Sequence, residues 1–150
     1  MSQLTARIFN SINSITENDW VLLNCSSNIY FDPDFLKAFE ASNPNISFKY
    51  IIIYDGKKAI GLANIQIISL GVDVILKNIK ISNFAKKTFH FLLCKYPIKI
   101  LFCGNVFLSG EHGIFLNQSI NNYEVFSIFS KTIETLSSLK ENSPLHAIFI

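Results

Sequence analysis

The sequence predicts a layered domain of mixed α and β structure (α/β or α+β), in which a mostly antiparallel sheet is flanked by helices. Asp55-Gly56 is a hairpin turn signal between two segments rich in Ile, which is typical of paired antiparallel strands. Segments with helix start signals alternate with such strand-like segments along the chain. The continuous apolar run Ile98–Cys103 indicates a strand that is covered on both faces and lies near the centre of the sheet.

The first half of the chain contains the clearest helix signal. Asp32 is a good N-cap, Pro33 suits the first helical position, and Asn43-Pro44 ends the helix. Gly61 is a candidate β-bulge inside the second strand of the hairpin. The other elements predicted there are a strand at 7–10, a short helix with a loop at 14–25, and strands at 48–54 and 58–70.

The second half is predicted to alternate between strands and helices. Asn121 and Glu124 resemble a capping box that opens a helix. The apolar stripe of that helix is Phe126, Phe129, Ile133 and Leu136. The other predicted elements are a strand at 72–81 that completes an antiparallel meander, a helix at 84–95, the strand at 98–103 and a last strand at 145–150.

Composition excludes several classes of protein. Hydrophobic residues make up 49% and charged residues 16% of the 150 residues, a balance opposite to that of disordered chains. A net charge of +2 without a basic-aromatic segment argues against a nucleic-acid binder. No apolar run approaches the roughly 18–20 residues of a membrane span, and no secretory signal is visible. We therefore expect a cytoplasmic protein.

The three cysteines, Cys25, Cys94 and Cys103, have apolar surroundings and no CxxC spacing. This pattern predicts reduced, buried thiols and no metal site. Cys103 as a nucleophile would need a neighbouring base, and its apolar flanks indicate burial instead. Glu40 is unusual because it lies near the negative end of its helix, where it could pair with a lysine, face a cleft or be exposed to solvent.

The most unusual segment, residues 103–113 (CGNVFLSGEHG), follows the apolar strand. Its glycines allow close approach of the backbone to a ligand, and loops that follow strands often bind ligands in such sheets. We predict a substrate-binding role for Asn105, Gly110, Glu111 and His112, with His112 as a candidate general base. The alternative is a structural turn, and the spacing matches no phosphate-binding motif.

The domain is expected to extend over residues 1–150. Because the sequence stops inside the apolar strand at 145–150, we expect a longer protein of which this chain is the N-terminal piece. The apolar surface that the remainder would cover also makes a homodimer an expected form of the isolated chain.

Several segments of the chain together resemble one family of enzymes. The resemblance is strongest in residues 100–113. It also includes Trp20, residues 30–40, and the hairpin at 50–56 with Gly61 and Gln66. These segments resemble the N-terminal portion of GNAT-like acyltransferases of the Fem or peptidoglycan-biosynthesis type. The resemblance implies a protein of two GNAT-like halves, each a mixed sheet flanked by helices. It also implies transfer of an acyl or aminoacyl group from a thioester or charged-tRNA donor to an amine.

One difference from that family locates the donor elsewhere. GNAT enzymes hold the pyrophosphate of coenzyme A with an Arg/Gln-x-x-Gly-x-Gly/Ala loop after the fourth strand. Residues 80–85, at the predicted junction, contain no glycine, and Arg7 is the only arginine. We therefore expect that this chain binds no cofactor and that an acyl-CoA or aminoacyl donor binds to a C-terminal half.

Two functions follow from these observations. The first is an N-terminal acyltransferase half that supplies scaffold and one wall of the acceptor cleft, and that is inactive alone. The second is a non-catalytic protein-interaction module with a degenerate GNAT-like fold. The coding sequence after Ile150 discriminates between them, since only the first requires a second half with a glycine-containing loop.

Overall fold

The computed structural model describes residues 4–70, 98–107, 113–117, 122–139 and 145–149. The predicted segments 72–81 and 84–95 lie outside these ranges. Two single-turn 3₁₀ helices lie at Ile12–Ser14 and Ile29–Phe31. The other described elements are β1 (Leu4–Phe9), α1 (Glu17–Leu23), α2 (Pro33–Ser42), β2 (Ile46–Asp55), β3 (Lys58–Leu70), β4 (Ile98–Cys103), β5 (Ile114–Leu116), α3 (Asn122–Ser138) and β6 (Leu145–Phe149).

The strands form one mixed sheet in the order β1-β2-β3-β4-β6, and β5 pairs with β3 on the edge that also carries β4. The pairings of β1 with β2 and of β3 with β2, β4 and β5 are antiparallel. Among the described strands, β4 and β6 form the one parallel pair, and α3 lies between them in the chain. The predicted combination of helices with a mostly antiparallel sheet is confirmed, and β4 lies inside the sheet as expected.

Alternation along β2 gives the sheet two apolar cores. Tyr50 and Ile52 face a core that includes residues of α1 and α2, whereas Ile51 and Ile53 face a core built with α3. Both faces of β2 are therefore buried, which explains why its sequence is almost continuously apolar.

Local capping fixes the helix ends near the N-terminus. Asp32 accepts hydrogen bonds through Oδ1 from the backbone N–H groups of Asp34 and Phe35, each at 3.0 Å, so the predicted start of α2 is confirmed. Thr16 caps α1 in the same way, and its hydroxyl donates to Asp19 Oδ2 at 2.7 Å. Both caps act on residues within three positions, but only the cap at Asp32 was predicted from the sequence.

The hairpin also forms where the sequence places it. Gly56 has a φ of +60°, as the tight turn requires. The pairing of β2 with β3 shifts by one residue beside Ile53, where Ile60 is the extra residue and Gly61 follows it. A Cβ on Gly61 would lie 2.9 Å from Leu116 Cδ2 and 3.2 Å from Phe129 Cζ. Glycine at this position lets β5 and α3 pack closely against the sheet.

Three features of the second half were not predicted from the sequence. The second edge of β3 pairs with β4 and β5, and the predicted strand at 72–81 lies outside the described residues. The short strand β5 was not predicted, because three residues are too few for a periodic pattern. In α3, Val125 belongs to the buried stripe, whereas Phe126 is 46% exposed. Val125 and Phe129 are four residues apart and share a helix face, from which Phe126 is rotated away.

Candidate functional site

The loop predicted to bind substrate leaves the sheet at a break between β4 and β5. The backbone of Asn64 on β3 holds both ends of the break. Gly104 N–H donates to Asn64 O at 2.8 Å, and Asn64 N–H donates to Gly113 O at 2.9 Å. A Cβ on Gly113 would lie 2.6 Å from the carbonyl oxygen of Cys103. The two ends of the loop therefore meet, and only a glycine at 113 permits that contact.

Side-chain oxygens stabilise the turn that follows β4. Gly104 has a φ of +128°, which favours glycine. Val106 N–H donates to Gln66 Oε1 at 3.0 Å, and Phe107 N–H donates to Asn105 Oδ1 at 2.9 Å. The second bond spans two residues and forms an Asx turn. The Asn105 side chain, which is buried, thus satisfies a neighbouring backbone group, as the structural-turn alternative requires.

Aromatic packing holds the same turn against α2. The rings of Phe107 and Phe39 meet edge to face with centroids 6.0 Å apart, and Phe39 meets Phe48 of β2 at 5.8 Å. Phe48 is the ladder partner of Gln66. The start of the loop is therefore fixed by contacts with two separate elements.

Asn64 and Gln66 are functional candidates that the sequence reasoning missed. Their side chains are 2% and 0% exposed, and Asn64 Oδ1 and Gln66 Nε2 have no hydrogen-bond partner within the described ranges. Buried polar atoms without partners are rare in native structures. A sequence signal exists, since the two amides occupy alternate positions of an otherwise apolar strand and must share one of its faces.

The other predicted site residues are only partly located. Gly110, Glu111 and His112 lie outside the described residues, as does Cys94, so their roles stay predictions. The structure therefore places Asn105 at the base of the loop and brings Asn64 and Gln66 close to it.

The described thiols are not activated as nucleophiles. Burial raises the pKa of Cys103 from an ordinary value of 9.0 to about 12. Burial also raises the pKa of Cys25 to about 11, and its Sγ donates to the carbonyl oxygen of Phe31 at 3.3 Å. Both thiols are free, and Cys25 is buried as predicted, whereas Cys103 is half-buried.

Glu40 lies at the centre of a polar network between α2, β2 and the N-terminal 3₁₀ turn. Its carboxylate accepts from Ser11 Oγ at 2.7 Å, from Ile12 N–H at 3.0 Å and from Tyr50 Oη at 3.0 Å. Burial, and then the charge of Glu40 and its hydrogen bond, raise the pKa of Tyr50. The unusual place of Glu40 near the end of α2 is thus explained by three tertiary donors.

Two pockets lie near these elements. One, of about 270 Å³, is lined by neutral side chains at the end of α1 and along β5, among them Asn24, Ser27 and Asn117. The other, of about 340 Å³, lies where the first 3₁₀ turn, α1 and the start of α2 meet. Its lining includes Glu17 and Lys37, so it presents both signs of charge.

No group of three or more His, Cys, Asp or Glu side chains within the described ranges is placed to hold a metal ion. None of the helices in this part of the chain has the length and apolar character needed to cross a bilayer. Comparisons of the chain with family models, curated proteins and solved structures return no match.

Proposed function

We propose that this chain is the N-terminal half of a GNAT-like N-acyltransferase and transfers no acyl or aminoacyl group by itself. The arrangement of the sheet supports this proposal, because three antiparallel strands are followed by a parallel pair, β4 and β6, with α3 between them in the chain. A mixed sheet flanked by helices is what the resemblance implies. The free thiols of Cys25 and Cys103 support a reducing, cytoplasmic setting.

The observation that carries the proposal is that the described backbone N–H groups of Gly104, Val106 and Phe107, after β4, are already hydrogen-bonded within the protein. The predicted pyrophosphate junction, residues 80–85, lies outside the described residues, so the turn after β4, where the glycine-containing segment 104–113 begins, is the described place to look for an anion site. A phosphate site needs N–H groups that point freely at the anion. Here the N–H groups of Gly104, Val106 and Phe107 already donate to protein oxygens.

This occupancy supports a chain that supplies scaffold and acceptor contacts while the donor binds elsewhere. Asn105, Gly110, Glu111 and His112 are then the residues proposed for the acceptor side. The proposed donor, an acyl-CoA or an aminoacyl carrier, would be held by the second half. The expected partner of this chain is that half, or a second copy when the half is missing.

The isolated chain is expected not to bind the acyl donor. Titration of the isolated chain with acetyl-coenzyme A in a calorimeter should give only heats of dilution, because residues 80–85 contain no glycine and the described N–H groups of Gly104, Val106 and Phe107 already donate to protein oxygens. Coenzyme A without the acetyl group serves as the control ligand. A dissociation constant near or below about 10 μM, roughly −7 kcal/mol, would contradict the proposal.

The alternative function, a non-catalytic interaction module, is favoured by the same satisfied N–H groups. The gene itself separates the two functions. If the chain is half of an enzyme, sequencing past codon 150 should reveal a second half whose fourth strand is followed by a glycine-containing loop. The joined protein should then transfer a labelled acyl group to an amine, whereas the 150-residue chain should not. If the reading frame ended without such a half, the non-catalytic interaction module would be the remaining function.

A further inference from the structure

The pocket between the 3₁₀ turn Ile12–Ser14, α1 and α2 has the features of a small-molecule site. Its volume of about 340 Å³ is at the lower end of the range for ligand pockets. Ile12 and Ile15 are buried at the floor of the pocket, and Pro33 adds apolar surface at its wall. A ligand here would gain free energy by burying an apolar group.

The pocket also carries two opposite charges whose partners within the protein are weak or missing. Thr16 and Asp19 already cap α1, and Glu17 makes no hydrogen bond or ion pair within the part of the chain that the structure describes. Lys37 lies 3.9 Å from Asp34, but both side chains are exposed, and such a pair contributes little. The Glu17 carboxylate and the Lys37 ammonium are therefore available to a ligand.

Trp20 adds an aromatic surface to the same pocket. The face of an indole attracts a cation, and its N–H donates to an acceptor such as a carboxylate. Trp20 is the only tryptophan in the sequence. Its fluorescence therefore reports on this pocket without interference from any other tryptophan.

The framework of the pocket is fixed by the Glu40 network. Ser11 and the backbone of Ile12, which begin the 3₁₀ turn, both donate to Glu40 on α2. These bonds hold one wall of the pocket against the helix that carries Lys37. A pocket with fixed walls loses less free energy to ordering when a ligand binds.

We propose that this pocket binds a free α-amino acid with an apolar side chain. The ligand's ammonium group pairs with Glu17, its carboxylate pairs with Lys37, and its side chain packs on Trp20 and Pro33. A ligand with only one charge would leave one of the two protein charges without a partner. The proposal does not depend on the transferase function, since binding requires only this half of the protein.

The test is a titration of the 150-residue chain, followed by Trp20 fluorescence, with three probes: L-leucine, N-acetyl-L-leucine and L-leucinamide. L-Leucine should bind about tenfold more tightly than either blocked form, because each block removes one charge pair. Glu17→Gln should weaken binding of leucine and leucinamide but leave N-acetyl-leucine unchanged. Lys37→Gln should weaken the binding of leucine and of N-acetyl-leucine but leave the binding of leucinamide unchanged.

Matched control variants remove one charge of the same kind elsewhere. Glu134→Gln on α3 and Lys57→Gln in the hairpin turn change exposed residues outside the pocket, and they should leave all three affinities unchanged. No fluorescence change up to about 10 mM leucine would overturn the proposal. Equal affinity for leucine and its two blocked forms would overturn it as well. Neither result bears on the donor titration, so failure here leaves the transferase proposal standing.

Discussion

Replacing Glu40 with alanine is expected to lower the free energy of unfolding by about 3 kcal/mol, because the carboxylate accepts three hydrogen bonds and charged acceptors contribute the most. The substitution leaves the Tyr50 hydroxyl and the Ile12 N–H without their acceptor between α2 and the sheet. Urea unfolding followed by circular dichroism measures the loss. A variant within about 0.5 kcal/mol of the original protein would show that the network contributes little.

Tyr50→Phe is the matched variant for this network. It removes one donor and leaves Glu40 with Ser11 and Ile12, so the loss should be smaller than that in Glu40→Ala. A double-mutant cycle with both changes should show coupling, since the two side chains share a hydrogen bond. If the losses were additive, the contact between Tyr50 and Glu40 would contribute nothing to the free energy of unfolding.

The same pair predicts how stability depends on pH. Burial and Glu40 raise the pKa of Tyr50 above its ordinary value of 10.0, so the folded state keeps the phenol protonated. Its contribution is fully present below about pH 10 and is lost as the pH rises further, because the unfolded chain then ionises first. Tyr50→Phe should reduce the loss of stability between about pH 9 and 11. The remaining loss comes from Tyr54, Cys25 and Cys103, whose pKa values burial also raises.

Gly113→Ala is expected to lower the free energy of unfolding by about 2 to 3 kcal/mol, the upper range for overpacking. The added methyl group would lie 2.6 Å from the carbonyl oxygen of Cys103 and 3.0 Å from its carbonyl carbon. Backbone atoms cannot move aside without disturbing β4 and the hydrogen bond from Asn64 N–H to Gly113 O. Thermal and urea unfolding of the variant check this prediction.

Gly61→Ala is the control for this clash. Its added methyl group would meet the ends of the Leu116 and Phe129 side chains, at 2.9 and 3.2 Å, which move more easily than backbone. The loss should therefore be smaller than for Gly113→Ala. If both variants were as stable as the original protein, the two ends of the loop would not be in contact as the structure places them.

The elements that the sequence determined by itself are those stabilised by near neighbours. Asp32 and Pro33 predicted the start of α2 because an N-cap acts on N–H groups two and three residues away. Asp55-Gly56 predicted the hairpin because a tight turn needs only a residue that tolerates positive φ. Gly61 was predicted to be the bulge itself, whereas the extra residue is its neighbour Ile60, and the contacts that require glycine at 61 come from β5 and α3.

The tertiary structure decided which distant segments lie together, because nothing in local propensity specifies the partner of a strand or of a buried polar group. It placed β4 and β5 along one edge of β3, so that Asn64 holds both ends of the loop. It made Glu40, which lies near the unfavourable negative end of its helix, the acceptor of three donors from other elements. It also paired the Val106 N–H with the side-chain oxygen of Gln66, which lies on another strand. The sequence contains these polar residues, but the partners of Glu40 lie 10 to 29 positions away and that of Gln66 lies 40 positions away.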